Sequence, residues 1–158
     1  MKKNLIILFL LIIFPIKAFA LIEVDITRGN LNPLPLAVSP LSIDEESKTS
    51  FEKILKKENI GSEISIIVEN NLRTSGLFNP ISKDAFLQAP DIANLKPRFE
   101  DWNLIKAQAL ITGKVTYVNE KLRVEFRLWD ILAAKEMMAL AFTTVPSNWR
   151  RVGHIISD

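Results

Sequence analysis

From Lys121 to Leu128 apolar and charged side chains alternate without a break. Leu122, Val124, Phe126 and Leu128 fall on one parity, Lys121, Arg123, Glu125 and Arg127 on the other. A period of two is the signature of a strand with one buried face. The same period runs before it, with Ala109, Ile111, Val115 and Tyr117 sharing a face, and after it, from Met137 to Val145. Asn119-Glu120 and Ala133-Ala134 supply the connections. Three successive strands with short turns predict an antiparallel meander.

Elsewhere the spacing changes to three and four. Ile64, Ile67, Val68 and Leu72 form one stripe of a helix predicted over Ser62 to Thr74, with Ser62 as its cap after Gly61. Glu69 and Arg73 sit four apart on its wet side, and Gly76 ends it. Leu77-Phe78 opens a short extended piece that stops at Asn79-Pro80. Pro146-Ser147 precedes a second helix over Asn148 to Asp158, whose apolar face is Trp149, Val152, Ile155 and Ile156. No helix-ending signal follows, so a chain cut short within a longer protein is expected. Asp44 to Glu58 is charged around Phe51, Ile54 and Leu55, which fits a weak solvated helix or an ordered loop. Ser82 to Asp101 has no sustained period and holds Pro90 and Pro97. It reads as loop with a turn or two, before a short helix from Trp102 to Lys106 capped by Asp101.

The first part of the chain has a different character. Lys2 and Lys3 precede a charge-free run from Leu5 to Ile16, and Ala18-Phe19-Ala20 follows Lys17. This is the pattern of a secretory signal peptide cut after Ala20, with an uncleaved membrane anchor as the alternative. The mature part, 21–158, is then one domain without stable membrane insertion. Leu21 to Thr27 alternates again: Ile22, Val24 and Ile26 against Glu23, Asp25 and Thr27. Pro33, Pro35 and Pro40 crowd the next segment, so Leu34 to Val38 is expected as a short or edge strand. The order of elements predicts an α/β fold, a two-layer mixed sheet with two main helices on one face.

Charge changes the picture little. The whole chain carries a net +2, but Lys2, Lys3 and Lys17 lie in the leader, which leaves 17 basic against 18 acidic residues, a net of −1. A near-neutral domain has no field to gather nucleic acid. The chain holds no cysteine, which removes thiolate chemistry and cysteine-held metals. The single histidine, His154, has Asp158 four residues on. A metal pair is conceivable there, and local pairing with a carboxylate fits better. Asp44-Glu45-Glu46 reads as a helix start. No G-x-S-x-G elbow, phosphate loop or dinucleotide turn occurs. No catalytic residue, cofactor or metal is therefore expected. Trp129, on the outward parity of its strand, is the exposed aromatic candidate for an interface or for packing under a loop.

Several strings in order carry a family resemblance. Leu72-Arg73-Thr74-Ser75-Gly76-Leu77-Phe78 resembles the L-x-x-S-G-x-F signature of the TolB amino-terminal domain family. Phe99-Glu100-Asp101-Trp102, Ala109-Leu110-Ile111-Thr112-Gly113-Lys114-Val115, Phe126-Arg127-Leu128-Trp129-Asp130 and the segment Trp149 to Asp158 continue the match. The resemblance implies a fold similar to the anticodon-binding domains of class II aminoacyl-tRNA synthetases. It implies a periplasmic, non-catalytic role in the Tol-Pal system, which supports the outer membrane during cell division. It also implies that the mature N-terminus (Leu21, Ile22, Glu23, Val24, Asp25, Ile26 and Thr27) engages the C-terminal domain of TolA. Such a strand can add to another protein's sheet edge, or pair within its own sheet. In the family, Pal is bound by a propeller that these residues do not include, so Pal binding does not follow for this chain. A periplasmic hydrolase and an RNA-binding domain remain the competing functions, the second only by analogy of fold.

Overall fold

The computed structural model describes residues 32–158, so the leader and the segment Leu21 to Thr27 lie outside the described residues. The elements are β1 (Leu34–Val38), β2 (Ser42–Ile43), α1 (Glu45–Leu55), α2 (Ile60–Thr74), β3 (Phe78–Pro80), α3 (Pro90–Leu95), α4 (Phe99–Leu104), β4 (Ala109–Val118), β5 (Lys121–Asp130), β6 (Lys135–Thr144) and α5 (Trp149–Ser157). Short 3-10 turns cover Lys83–Ala85 and Pro146–Asn148. They build one mixed sheet in the order β3-β1-β4-β5-β6, with β2 also on β4. β1, β2 and β3 run parallel to their neighbours, and β4, β5 and β6 form the antiparallel meander. Its first turn, Asn119-Glu120, takes positive φ at both residues (50° and 60°), as a tight hairpin turn requires.

The prolines around β1 do not push it to an edge. β1 is short, but it lies between β3 and β4. Ser39 N–H donates to the Ile111 carbonyl at 2.9 Å, and the Gln108 N–H donates to the Pro35 carbonyl at 2.9 Å. Counted back by twos, the donor that Pro35 lacks falls on the rung of Ala107, before β4 begins at Ala109. The missing N–H therefore costs the ladder nothing.

The two main helices, α2 and α5, lie on one face of the sheet, and α1 joins them. The core there unites Leu36 and Val38 of β1, Phe51 of α1, Ile64 and Val68 of α2, Val115, Leu122 and Val124 of β4 and β5, and Trp149 and Val152 of α5. Each such side chain contributes about 1.5–3 kcal/mol by leaving water. Gly153 of α5 lies so close to Ile67 that an added Cβ would sit 3.0 Å from its side chain, so the glycine sets the helix spacing. Two buried serines pin helices to β4 and to the residue before β2. Ser47 Oγ accepts the Tyr117 N–H at 2.8 Å, and Ser65 Oγ accepts the Leu41 N–H at 3.0 Å.

Four helix starts or contacts differ from the sequence reading. α1 is a full helix whose Phe51 is wholly buried, and Asp44 Oδ1 caps it by accepting the Ser47 N–H at 2.9 Å. α2 starts at Ile60, with Asn59 as the cap and Ser62 as the donor to its Oδ1 (2.9 Å). Asn59 reaches the third residue along, so Gly61 falls inside the helix, where it packs on the Leu41 backbone. α4 starts at Phe99 without a side-chain cap; Asp101 lies within its first turn and pairs with Arg98 at 2.6 Å. On α5, Ile155 is exposed, on the side that faces the shallow cleft beside Phe142 and Thr144 of β6.

The opposite face carries a smaller core of Ala37, Trp102, Ala107, Leu110, Trp129 and Ile131. The segment from Gln88 to Trp102 covers it. The buried amide of Gln88 holds that segment at three points. Its Oε1 accepts the Arg98 N–H (2.9 Å) and the Trp102 indole N–H (3.0 Å), and its Nε2 donates to the Lys96 carbonyl (3.3 Å).

Candidate interaction surfaces

His154 stands on the exposed side of α5, and its side-chain partner is Asn71, not Asp158. Its Nδ1 lies 2.8 Å from Asn71 Nδ2, and the same amide donates to Ser157 Oγ at 2.7 Å. The histidine fastens α5 to α2. Asp44, Glu45 and Glu46 begin α1, and the described residues contain no group of three metal-ligating side chains. The Ser47 backbone N–H, bonded to Asp44, holds its carboxyl below the usual carboxylate range. The Ser47 hydroxyl and Lys114 add smaller pulls against a modest burial effect.

The tryptophans are packed. Trp149 belongs to the main core, with Lys57 Nζ 5.2 Å and Arg150 4.9 Å from its ring centre. Trp129 does point away from the main helices, but it is 8% exposed. Phe99 of α4 meets its ring edge-on at 6.0 Å, and its Nε1 donates to Thr112 Oγ1 at 2.9 Å. Its parity was legible; the segment that covers it, thirty residues earlier in the chain, was not. An open groove of about 530 Å³ runs beside that segment, lined by Lys96, Pro97, Phe99, Ala134 and the Arg98–Asp101 pair. Arg98 and Asp101 neutralise each other there, and Lys96 and Glu100 add one charge of each sign to the lining.

The sheet's two edges differ. β3 is three residues long and ends at Pro80, which has no N–H to offer. β6 is ten residues long and almost wholly exposed, with Met137 59%, Met138 47% and Leu140 48% accessible. The sequence reading placed β6 as the third meander strand without recognising an open edge. The run of nine uncharged residues from Met137 to Val145 was the available signal. The expected partner-binding residues Leu21, Ile22, Glu23, Val24, Asp25, Ile26 and Thr27 lie outside the described residues.

A mixed sheet with helices on both faces, hydroxyls and amides used to fasten its elements, and apolar side chains on a long free strand defines a compact α/β domain. The chain belongs to the TolB amino-terminal domain family, whose model matches residues 22–137. It is 84% identical over 149 residues to the Tol-Pal system protein TolB of Pelagibacter ubique (strain HTCC1062), a match that covers 94% of this chain and 33% of that protein. The chain thus spans about a third of the length of this curated relative. Among solved structures, the crystal structure of TolB from Acinetobacter baumannii superposes with a TM-score of 0.59 at 21% identity, over 80% of this chain and 27% of that one. A variant PelC dodecamer from Paraburkholderia phytofirmans reaches 0.53 at 15% identity, over 79% of this chain and 87% of that one. At these identities the structural likeness concerns the fold.

Proposed function

We propose that this chain is a non-catalytic binding module of a Tol-Pal system, exported to the periplasm, where it helps couple envelope layers during division. The 84% identity to a Tol-Pal system protein carries this reading. The match of the family model across residues 22–137 supports it. Among the described residues no helix is long and apolar enough to cross a membrane, which is compatible with action after export.

Within this reading, Leu21 to Thr27 docks on the C-terminal domain of TolA by strand addition. Backbone donors and acceptors supply affinity, and Ile22, Val24 and Ile26 fill alternate-side pockets. Pal binding is no part of the proposal. The test is calorimetric titration of the TolA C-terminal domain into the chain and into a variant lacking Leu21 to Thr27. Loss of binding with an unchanged circular dichroism spectrum is expected. Equal affinity in the two proteins would refute the docking segment.

A further inference from the structure

The pairing of β5 with β6 slips by one residue on the side of the sheet that the segment Gln88 to Trp102 covers. Arg127 pairs with Ala139 and Leu128 with Met138, whereas Trp129 pairs with Glu136. Met137 is thus an extra residue of β6 with no partner in β5. In an unbroken ladder Met137 would stand opposite Trp129, and Glu136 would turn to the face that carries α2 and α5. The bulge brings Glu136 one rung forward, onto the face of Trp129.

Arg127 precedes Trp129 by two residues and shares that face. Its Nε lies 3.2 Å from Glu136 Oε2. Its Nη1 donates to the Asn94 carbonyl at 3.2 Å and to Asn94 Oδ1 at 3.3 Å. Asn94 is a buried residue of α3, within the covering segment. One planar guanidinium therefore spans from β6 to that segment, spending different N–H groups on each. Among the described residues, no other hydrogen bond joins the segment to the sheet.

We propose that Arg127 is a latch for the segment Gln88 to Trp102, armed by the bulge at Met137, and that ionic strength sets how often the latch is open. The arginine's bonds to Asn94 carry a full charge and are stronger than neutral ones. Glu136 holds the long side chain in the one pose that reaches Asn94. The Arg127 and Glu136 side chains are 31% and 41% exposed, so dissolved ions reach the pair and screen it. Apolar packing, with Phe99 on Trp129 and Trp102 in the smaller core, holds the segment at every salt concentration. The latch adjusts that hold.

The chain supplies its own probe. The Trp129 indole N–H is buried beneath the segment, on Thr112 Oγ1, while Trp149 lies in the core of the opposite face. The experiment is NMR measurement of solvent exchange at these two indole protons, on the chain purified as the cell produces it. Arg127→Met keeps an unbranched apolar stem and removes every N–H. It is expected to speed exchange at Trp129 about tenfold and to leave Trp149 unchanged. Glu136→Gln, at a half-exposed position, is expected to act in the same direction by about twofold, and it carries the test if Arg127→Met does not fold. Raising sodium chloride from about 0.02 M to about 0.5 M is expected to speed Trp129 exchange in the wild-type chain and not in either variant. Unchanged Trp129 exchange in the variants overturns the proposal. Equal acceleration at Trp149, which would report general loosening, overturns it as well, and so does a salt response that the variants retain in full.

Discussion

β4 and β6 are both ten residues long, both rich in apolar side chains, and both paired with β5. In β4 the residues from Leu110 to Gly113 and Val115 are buried; in β6 none is. Composition does not separate them. β4 has β1 and β2 on one flank and β5 on the other, with helices over both faces. Among the described residues β6 has one neighbour in the sheet, and its Phe142 only partly enters the core under the helices. Burial in this domain is assigned by place in the sheet, and a strand's own residues report only whether it would tolerate such a place.

Mutations break that contrast in graded steps. Leu110→Ala, at a wholly buried position, is expected to cost about 2–5 kcal/mol in urea unfolding, through lost transfer energy and a residual cavity. Trp129→Phe comes next. It leaves the buried Thr112 hydroxyl without its indole donor, and a loss of about 1–3 kcal/mol is expected by the same measurement.

Asp44→Ala removes the cap of α1, which packs on β4, and is expected to cost about 1 kcal/mol at neutral pH. The Lys114 contact at 3.8 Å, half exposed, adds little. Because the folded Asp44 carboxyl titrates below its unfolded value, its contribution is full above the usual carboxylate range. It is lost as pH falls through that range toward the lower folded value. A pH series of unfolding curves should show a shallower acid limb in the variant. Leu140→Ala is expected to change monomer stability by no more than about 0.5 kcal/mol. A cost near that of Leu110→Ala would mean that β6 is covered in solution.

What the sequence made legible was local. The alternation at Leu122 to Leu128, the Asn119-Glu120 turn, the Glu69–Arg73 pair and the positive φ of Gly76 all follow from neighbours a few residues away. Where two local signals competed, the nearer one misled: Ser62 beside Gly61 hid the cap at Asn59. Contacts distant in sequence were closed to such reasoning. His154 meets Asn71 across 83 positions, and Trp129 is covered by α4 from the far side of β4. The interior place of β1 depends on where β4 happens to begin. The segment expected to bind a partner, Leu21 to Thr27, rests on alternation and family likeness.

The Gln88 amide has one more implication. A single side chain grips Lys96, Arg98 and Trp102, so the excursion between β3 and β4 is tied to itself, while Arg127 of β5 ties it to the sheet by donating to the Asn94 carbonyl (3.2 Å) and Oδ1 (3.3 Å). A segment so tied is expected to open as a unit. Its backbone amides would trade hydrogen for deuterium in one kinetic class, and a protease would meet that stretch either closed throughout or open throughout.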